Sequence, residues 1–279
     1  MAMDPGRDVF ERLMAGLDDP RPAPGVAVIV AHPDDEAIGA GARLPRWRSG
    51  LFVHVTDGAP RDGRDASAAG FASREDYARA RREELRAALM RAGIAPERSC
   101  SLDLIDQEAS LSLARLSRAL ARRLSGARPE AVVTHPYEGG HPDHDATAFA
   151  VHAACRLLRN GGGTPPLIVE MTSYHAGPGG MTTFEFLGAR GSDVVTRPLS
   201  EPEREFKRGL LACYRTQQKV LGAFPVEVER FRPAPRYDFA RPPHEGRLFY
   251  EHFDWGMTGD RWRGLAREAL AVLGLGGGR

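Results

Sequence analysis

One short run constrains this chain more than any other: Val26-Ala-Val-Ile-Val-Ala-His-Pro-Asp-Asp-Glu36. Six small or β-branched apolar residues end abruptly in an imidazole, a proline and three carboxylates. An unbroken apolar run, set between a Pro-rich stretch and Pro33, reads as a strand buried on both faces. Such strands belong to parallel α/β sheets, whose ligands bind beyond the carboxyl ends of the strands. His32, Asp34, Asp35 and Glu36 therefore fall where this architecture does its chemistry. Ile38-Gly-Ala-Gly-Ala42 then opens a helix. Carboxylates gathered at one point repel each other unless positive charge holds them. A divalent metal ion is the simplest holder.

A second run repeats the design. Ala131-Val-Val-Thr134 reads as another buried strand and ends in His135-Pro-Tyr-Glu-Gly-Gly-His-Pro-Asp-His144. Two histidines and one carboxylate, with a coordination position left for water, form a recurring catalytic zinc arrangement. His32, Asp35 and His144 can supply it. Asp34 is then a spare carboxylate, placed to take a proton from water that the ion has acidified. His141, held by Asp143 two residues on, is expected to stay protonated, to stabilise an oxyanion and to protonate a leaving amine. His135, Tyr137 and Glu138 share that loop and are candidates to line a pocket, as is His175 after the stretch 167–174. His54, inside an apolar strand, reads as a core residue. A competing reading makes Asp34 to Glu36 a cap on the next helix. Capping explains one or two carboxylates but neither the histidine nor the second cluster.

The remainder predicts a single α/β domain over 1–279, a Rossmann-like three-layer fold with a mostly parallel sheet. Its core spans about 25–175, and 176–279 is an accessory, substrate-shaping region. Helices are expected over 7–17, 74–92, 110–125, 146–159, 201–222 and 262–273; strands over 51–56, 101–106 and 167–174. A long loop is expected from Asp57 to Ser73, and a hairpin from 184–187 and 194–197. The Gly-Gly-Gly-Arg tail reads as disordered. On the 74–92 helix, Arg81 falls within the apolar stripe of Tyr77, Leu85, Ala88 and Leu89. A charge facing inward needs a partner: either a core carboxylate or a substrate at the rim of the site.

Lys and Arg number 38 against 37 Asp and Glu, a net charge of +1. No global field draws the chain to nucleic acid or anionic lipid. Three scattered cysteines suit reduced thiols and a cytoplasmic setting. The amino terminus lacks a secretory core, and no run approaches the ~20 apolar residues that span a bilayer. Homo-oligomerisation is left open.

Ala31-His-Pro-Asp-Asp-Glu36 together with Gly140-His-Pro-Asp-His144 resembles the zinc-dependent N-acetylglucosaminyl deacetylases of the PIG-L/LmbE type. The resemblance covers roughly residues 25–175. It implies one Zn2+ per chain on His32, Asp35 and His144, with Asp34 as general base. It also implies His141 as oxyanion stabiliser or acid, tuned by Asp143. Arg81-Arg-Glu-Glu84 looks like a family segment whose arginine contacts substrate. Asp106 is the nearest match to an aspartate that holds sugar hydroxyls, although Ile-Asp-Gln-Glu departs from the usual Pro-Asp-Gly. The implied substrate is a small N-acetylated amino sugar or glycoconjugate. Two rivals remain: a non-haem Fe(II) oxygenase, since histidines and a carboxylate also form its facial triad, and a non-catalytic sugar- or metal-binding protein.

Overall fold

The computed structural model describes residues 5–16, 19–188 and 194–276. Five strands run parallel: β1 (Val26–Val30), β2 (Leu51–Pro60), β3 (Ser99–Asp106), β4 (Ala131–Thr134) and β5 (Leu167–Met171). β6 (Tyr174–Gly177) and β7 (Gly180–Thr183) make a separate hairpin. β8 (Val195–Pro198) and β9 (Val228–Pro233) extend the main sheet antiparallel, giving the order β3-β2-β1-β4-β5-β9-β8.

Residues alternate faces along a strand, so a strand covered on both sides must be apolar at every position. β1 shows this directly. Ala27 and Ile29 enter a core built with α5 (Leu113–Ala127), α6 (Pro142–Asn160) and α9 (Gly259–Val272). Val26, Val28 and Val30 enter the opposite core, with α1 (Pro5–Met14), α2 (Asp35–Ala40), α4 (Arg74–Arg91) and α7 (Glu201–Leu211). Each buried Val or Ile side chain contributes roughly 1.5–3 kcal/mol. The three-layer, mostly parallel architecture is the one expected.

The register places the site. Val26, Ala27 and Val28 of β1 lie beside Ala131, Val132 and Val133 of β4, while β2 flanks β1 on its other edge. The chain thus leaves β1 towards one side and returns through β4 on the other. A crevice opens at such a switch point, and both motifs hang from it.

Four expectations change. β2 runs on to Pro60, and α3 (Arg64–Ala68) sits within the expected long loop. α6 starts at Pro142 rather than Ala146, with His141 as its N-cap, because proline is compatible with the first helical position. The 201–222 helix is interrupted after Leu211 and resumes only as α8 (Gln218–Leu221). There the Gln218 side chain donates to the carbonyls of Leu211 and Tyr214. The expected hairpin is also replaced: Gly177-Pro-Gly-Gly180 turns β6 into β7, and β8 pairs with β9 instead. Residues 189–193 of the expected hairpin and 277–279 of the tail lie outside the described residues. Among the described residues no helix is long and apolar enough to cross a membrane.

Candidate metal centre

His32 follows β1, Asp35 opens α2, and His144 stands in the first turn of α6. Their donor atoms converge. His32 Nδ1 is 3.2 Å from His144 Nε2, and Asp35 offers one oxygen at 3.3 Å to the former and the other at 3.2 Å to the latter. All three are buried. Outer contacts assign the ring protons. His32 Nε2 faces Asp106 Oδ1 at 3.1 Å and Asp143 Oδ2 at 3.4 Å, so its proton belongs on Nε2. His144 Nδ1 faces Ser173 Oγ at 3.3 Å. Two imidazole lone pairs and a carboxylate therefore converge on one point, and these donors fit a divalent ion.

Two of the three donors already favour their ligating forms. Burial pushes His144 down to about 3, with neighbouring His135 adding to the effect. Burial opposes ionisation of Asp35, yet His144 and His135 outweigh it and hold the carboxyl well below its ordinary range. Neutral imidazole and ionised carboxylate are the forms that ligate metals. His32 is held well above its usual value: burial works against its charge, but Asp106, Asp143 and Asp35 overcome it. Positive charge is favoured at this spot.

Asp34 lies beside this set without belonging to it. Its side chain caps nothing on α2, which removes the capping explanation for this residue. Its φ is 135°, a region that costs a non-glycine residue of order 1–3 kcal/mol. Arg81 holds the strained turn from α4: Nη2 donates to Pro33 O at 2.7 Å and to Asp34 Oδ2 at 3.0 Å, and Nη1 to Gly58 O at 2.8 Å. Gly58 is at φ 65°, and a Cβ there would press on that guanidinium. Burial raises the Asp34 carboxyl to about 8, against the pull of Arg81. Of the two partners considered for the inward-facing Arg81, the structure shows the carboxylate.

His141 and Asp143 are arranged otherwise than expected. The Asp143 main-chain N–H donates to His141 Nδ1 at 3.1 Å, which leaves the ring proton on Nε2. Burial, followed by repulsion from His32, pushes His141 well below its ordinary value. It is neutral, not protonated. The Asp143 carboxylate instead accepts from Gln107 N at 2.6 Å and Ala109 N at 3.0 Å, fixing the loop after β3 behind His32. Asp106, at the end of β3, faces His32 and stands 3.8 Å from His141 Nε2.

Residues 27–155 match the family described as PIG-L: GlcNAc-PI de-N-acetylase. Both motifs lie within this PIG-L-like stretch. Comparison with curated proteins finds no match. Among solved structures, the chain is similar to the A40926 pseudoaglycone deacetylase Dbv21, at 21% identity and a TM-score of 0.58, over 77% of this chain and 98% of that one. N,N'-diacetylchitobiose deacetylase from Pyrococcus horikoshii gives 18% and 0.55, over 84% and 94%. GalB, a 4-carboxy-2-hydroxymuconate hydratase from Pseudomonas putida, gives 16% and 0.51, over 77% and 98%. At these identities the likeness is one of fold.

A cleft of about 460 Å³ opens over the PIG-L-like stretch, on a polar floor of His32, Asp34, Asp35, Arg81, Asp106, His141 and His144. A wider surface groove of about 720 Å³, between α4 and residues 212–216, shares none of these side chains. Tyr137 does not line the cleft. It is buried, donates to Arg241 O at 2.9 Å and packs among Tyr237, Phe239 and Trp262. His175 turns away, its Nδ1 on Ala176 O at 2.8 Å. Its neighbour Tyr174 reaches the cleft instead, 5.3 Å from the His144 ring. His135 stacks behind His144 at 4.0 Å, and Glu138 is buried against Arg232. His54 is a core residue as expected, bonded to Glu36 at 3.0 Å. Trp255, whose ring lies 4.8 Å from His141, carries no motif by which the sequence identifies it.

Proposed function

We propose that this chain is a metal-dependent N-deacetylase acting on an N-acetylglucosamine-type conjugate. One observation carries the reading: a spare, strained carboxylate, Asp34, stands beside a His–Asp–His donor set at the floor of a cleft. A purely binding site gains nothing from that carboxylate. His32, Asp35 and His144 would hold one ion, with zinc the best fit to two nitrogens and an oxygen. Such an ion acidifies water and polarises an amide carbonyl.

The residues divide the remaining work. Positive charge at the donor set lowers Asp34 from its raised value, so that it takes a proton from the attacking water. The same proton then passes to the leaving nitrogen as the C–N bond breaks, giving acetate and a free amine. Neutral His141 donates from Nε2 to the developing oxyanion. Asp106 and Asp143 orient His32, a carboxylate–histidine arrangement that fixes a ligand's tautomer. Arg81 positions Asp34.

Because the fold also carries a hydratase, the test must read this reaction. Metal-loaded protein is incubated with N-acetylglucosamine and its glycosides, and primary amine and acetate are quantified. Equal amounts of both are expected, lost on chelation and restored by zinc. Absence of both products with every N-acetylated sugar would overturn the proposal, as would turnover untouched by chelator. Activity that requires oxygen and ferrous iron would move the site to the oxygenase class.

A further inference from the structure

The floor of the cleft is polar; its walls, apart from Asp65, Gln107 and Gln217, are apolar, and most of that apolar surface comes from elsewhere in the chain. Met181 of β7, Val220 of α8, Phe224, Phe249, Phe253 and Trp255 all line it, and all lie outside the 27–155 stretch that matches the family. Three of them are exposed: Met181 by 38%, Val220 by 57% and Phe253 by 43%. Among the described residues only six large apolar side chains are that exposed, so half of them crowd the rim of one cleft. Grouped apolar exposure next to a polar site marks a binding surface, whereas single exposed residues do not.

This wall is continuous with the reaction floor. Phe253 stacks on Trp255 at 4.5 Å, and Trp255 meets His141 at 4.8 Å. Phe249 packs on Phe253 at 5.3 Å and on Tyr174 at 5.6 Å, and Tyr174 packs on His144. The wall also lacks a counter-charge. Arg81 is the one Lys or Arg among the described lining residues, and it is buried and bonded to Pro33, Gly58 and Asp34. Arg61, near the rim, is paired with Glu108 at 2.5 Å. Phosphate groups are recognised by free guanidinium or ammonium donors, and this cleft presents carboxylates instead.

Resting on the deacetylase reading, we propose that Met181, Val220, Phe224, Phe249, Phe253 and Trp255 form a subsite for an uncharged, apolar aglycone, so that the substrate is an alkyl or aryl N-acetylaminoglycoside rather than a nucleotide- or phosphate-linked one. The acetamide sits on the polar floor, and the aglycone lies along Met181, Val220 and Phe253.

The test compares kcat/KM of the metal-loaded protein for free N-acetylglucosamine, its octyl β-glycoside below micellar concentration, and its uridine diphosphate conjugate. The octyl glycoside is expected to exceed the free sugar at least tenfold, mainly through KM, and the nucleotide conjugate to gain nothing. In Phe253→Ser and Val220→Ser the octyl-to-free ratio is expected to fall towards one. An octyl glycoside no better than the free sugar, or a better nucleotide conjugate, would overturn the subsite while leaving deacetylation intact. A change of oligomeric state in Phe253→Ser with an unaltered ratio would overturn it too, assigning the wall to a second copy of the chain. Failure of all three substrates would instead remove the deacetylase reading itself.

Discussion

Among the buried charge clusters of the described residues, two are built on opposite plans. Lys207 of α7 and Glu229 of β9 meet at 3.0 Å, both fully buried, and Ala42 N also donates to Glu229 at 2.8 Å. One cation meets one anion, and the pair closes on itself. The cluster at the ends of β1, β3 and β4 gathers Asp34, Asp35, Asp106 and Asp143, with Arg81 as its one permanent cation and that cation bonded to Asp34. Burying charge is costly unless it is paired. The first cluster meets that requirement within the fold, whereas the second leaves it to be met by something bound. An unbalanced cluster whose donors converge at the floor of a cleft is therefore the mark of the site, and each expectation below tests that contrast.

The largest effect should follow from removing a donor. Asp35→Ala or His144→Ala is expected to abolish bound metal and to lower kcat/KM at least 10⁴-fold, about 5.5 kcal/mol. Elemental analysis and the amine assay would measure the two losses. Chelation of the unaltered protein should lower its melting temperature, because an ion that binds only the folded state stabilises it, by about 2.7 kcal/mol at a hundred times Kd. The donor variants should show no such shift. A metal-dependent shift surviving in Asp35→Ala would place the ion elsewhere.

Asp34→Asn removes charge from the same cluster without removing a ligand. Loss of a general base typically costs 10²–10⁴-fold, so a fall in kcat of about a thousandfold is expected, with metal content near that of the unaltered protein. Metal loss in this variant would make Asp34 a ligand and remove the distinction between spare and ligating carboxylates.

The sequence revealed much of this because the chemistry sits where two periodic signals end. β1 and β4 are legible as unbroken apolar runs, since both faces of a central parallel strand are covered, and the polar residues after them mark the crevice. The helix stripe likewise showed Arg81 facing inward. Side-chain orientation beyond an element's end was less legible. Between β5 and β6 the chain turns at Thr172–Ser173, which sends Tyr174 rather than His175 to the cleft. Tyr137, two residues before the Gly139-Gly140 turn, falls into the aromatic core instead. His141 was assigned a proton from its sequence neighbour Asp143, but the helix start at Pro142 presents that neighbour's N–H, not its carboxylate. The apolar wall follows no periodicity, because its side chains come from loops and short elements that only tertiary packing brings together.

The balanced cluster supplies the converse test. Lys207→Met strands Glu229 in the interior, and breaking one half of a buried pair costs about 3–5 kcal/mol. Denaturant unfolding at neutral pH is expected to show a loss near 3 kcal/mol, with most of it regained in the double variant Lys207→Met, Glu229→Gln. A loss under about 1 kcal/mol would mean that this pair is not closed in the sense argued above, and the contrast with the site would weaken.

At the mild end, a partly buried pair near the surface that closes on itself should contribute little, and its contribution should follow pH in a definite direction. Glu203 accepts from Ser200 N at 2.8 Å in a capping box at the start of α7 and from Arg197 at 2.6 Å. Partial burial raises its carboxyl, but Arg197 and Ser200 outweigh that and bring it down to about 2 from 4.5. A carboxyl depressed in the folded state stabilises above its unfolded value, and that contribution fades as pH falls from 4.5 towards 2. Glu203→Ala is therefore expected to cost about 1 kcal/mol at pH 7, the usual scale for a helix cap, measured by denaturant unfolding. The difference between the two proteins should shrink progressively at pH 4 and pH 3, while the gap produced by Lys207→Met should not follow that carboxyl's titration. A Glu203→Ala gap that widened on acidification would show that the pair stabilises the fold by something other than its charge.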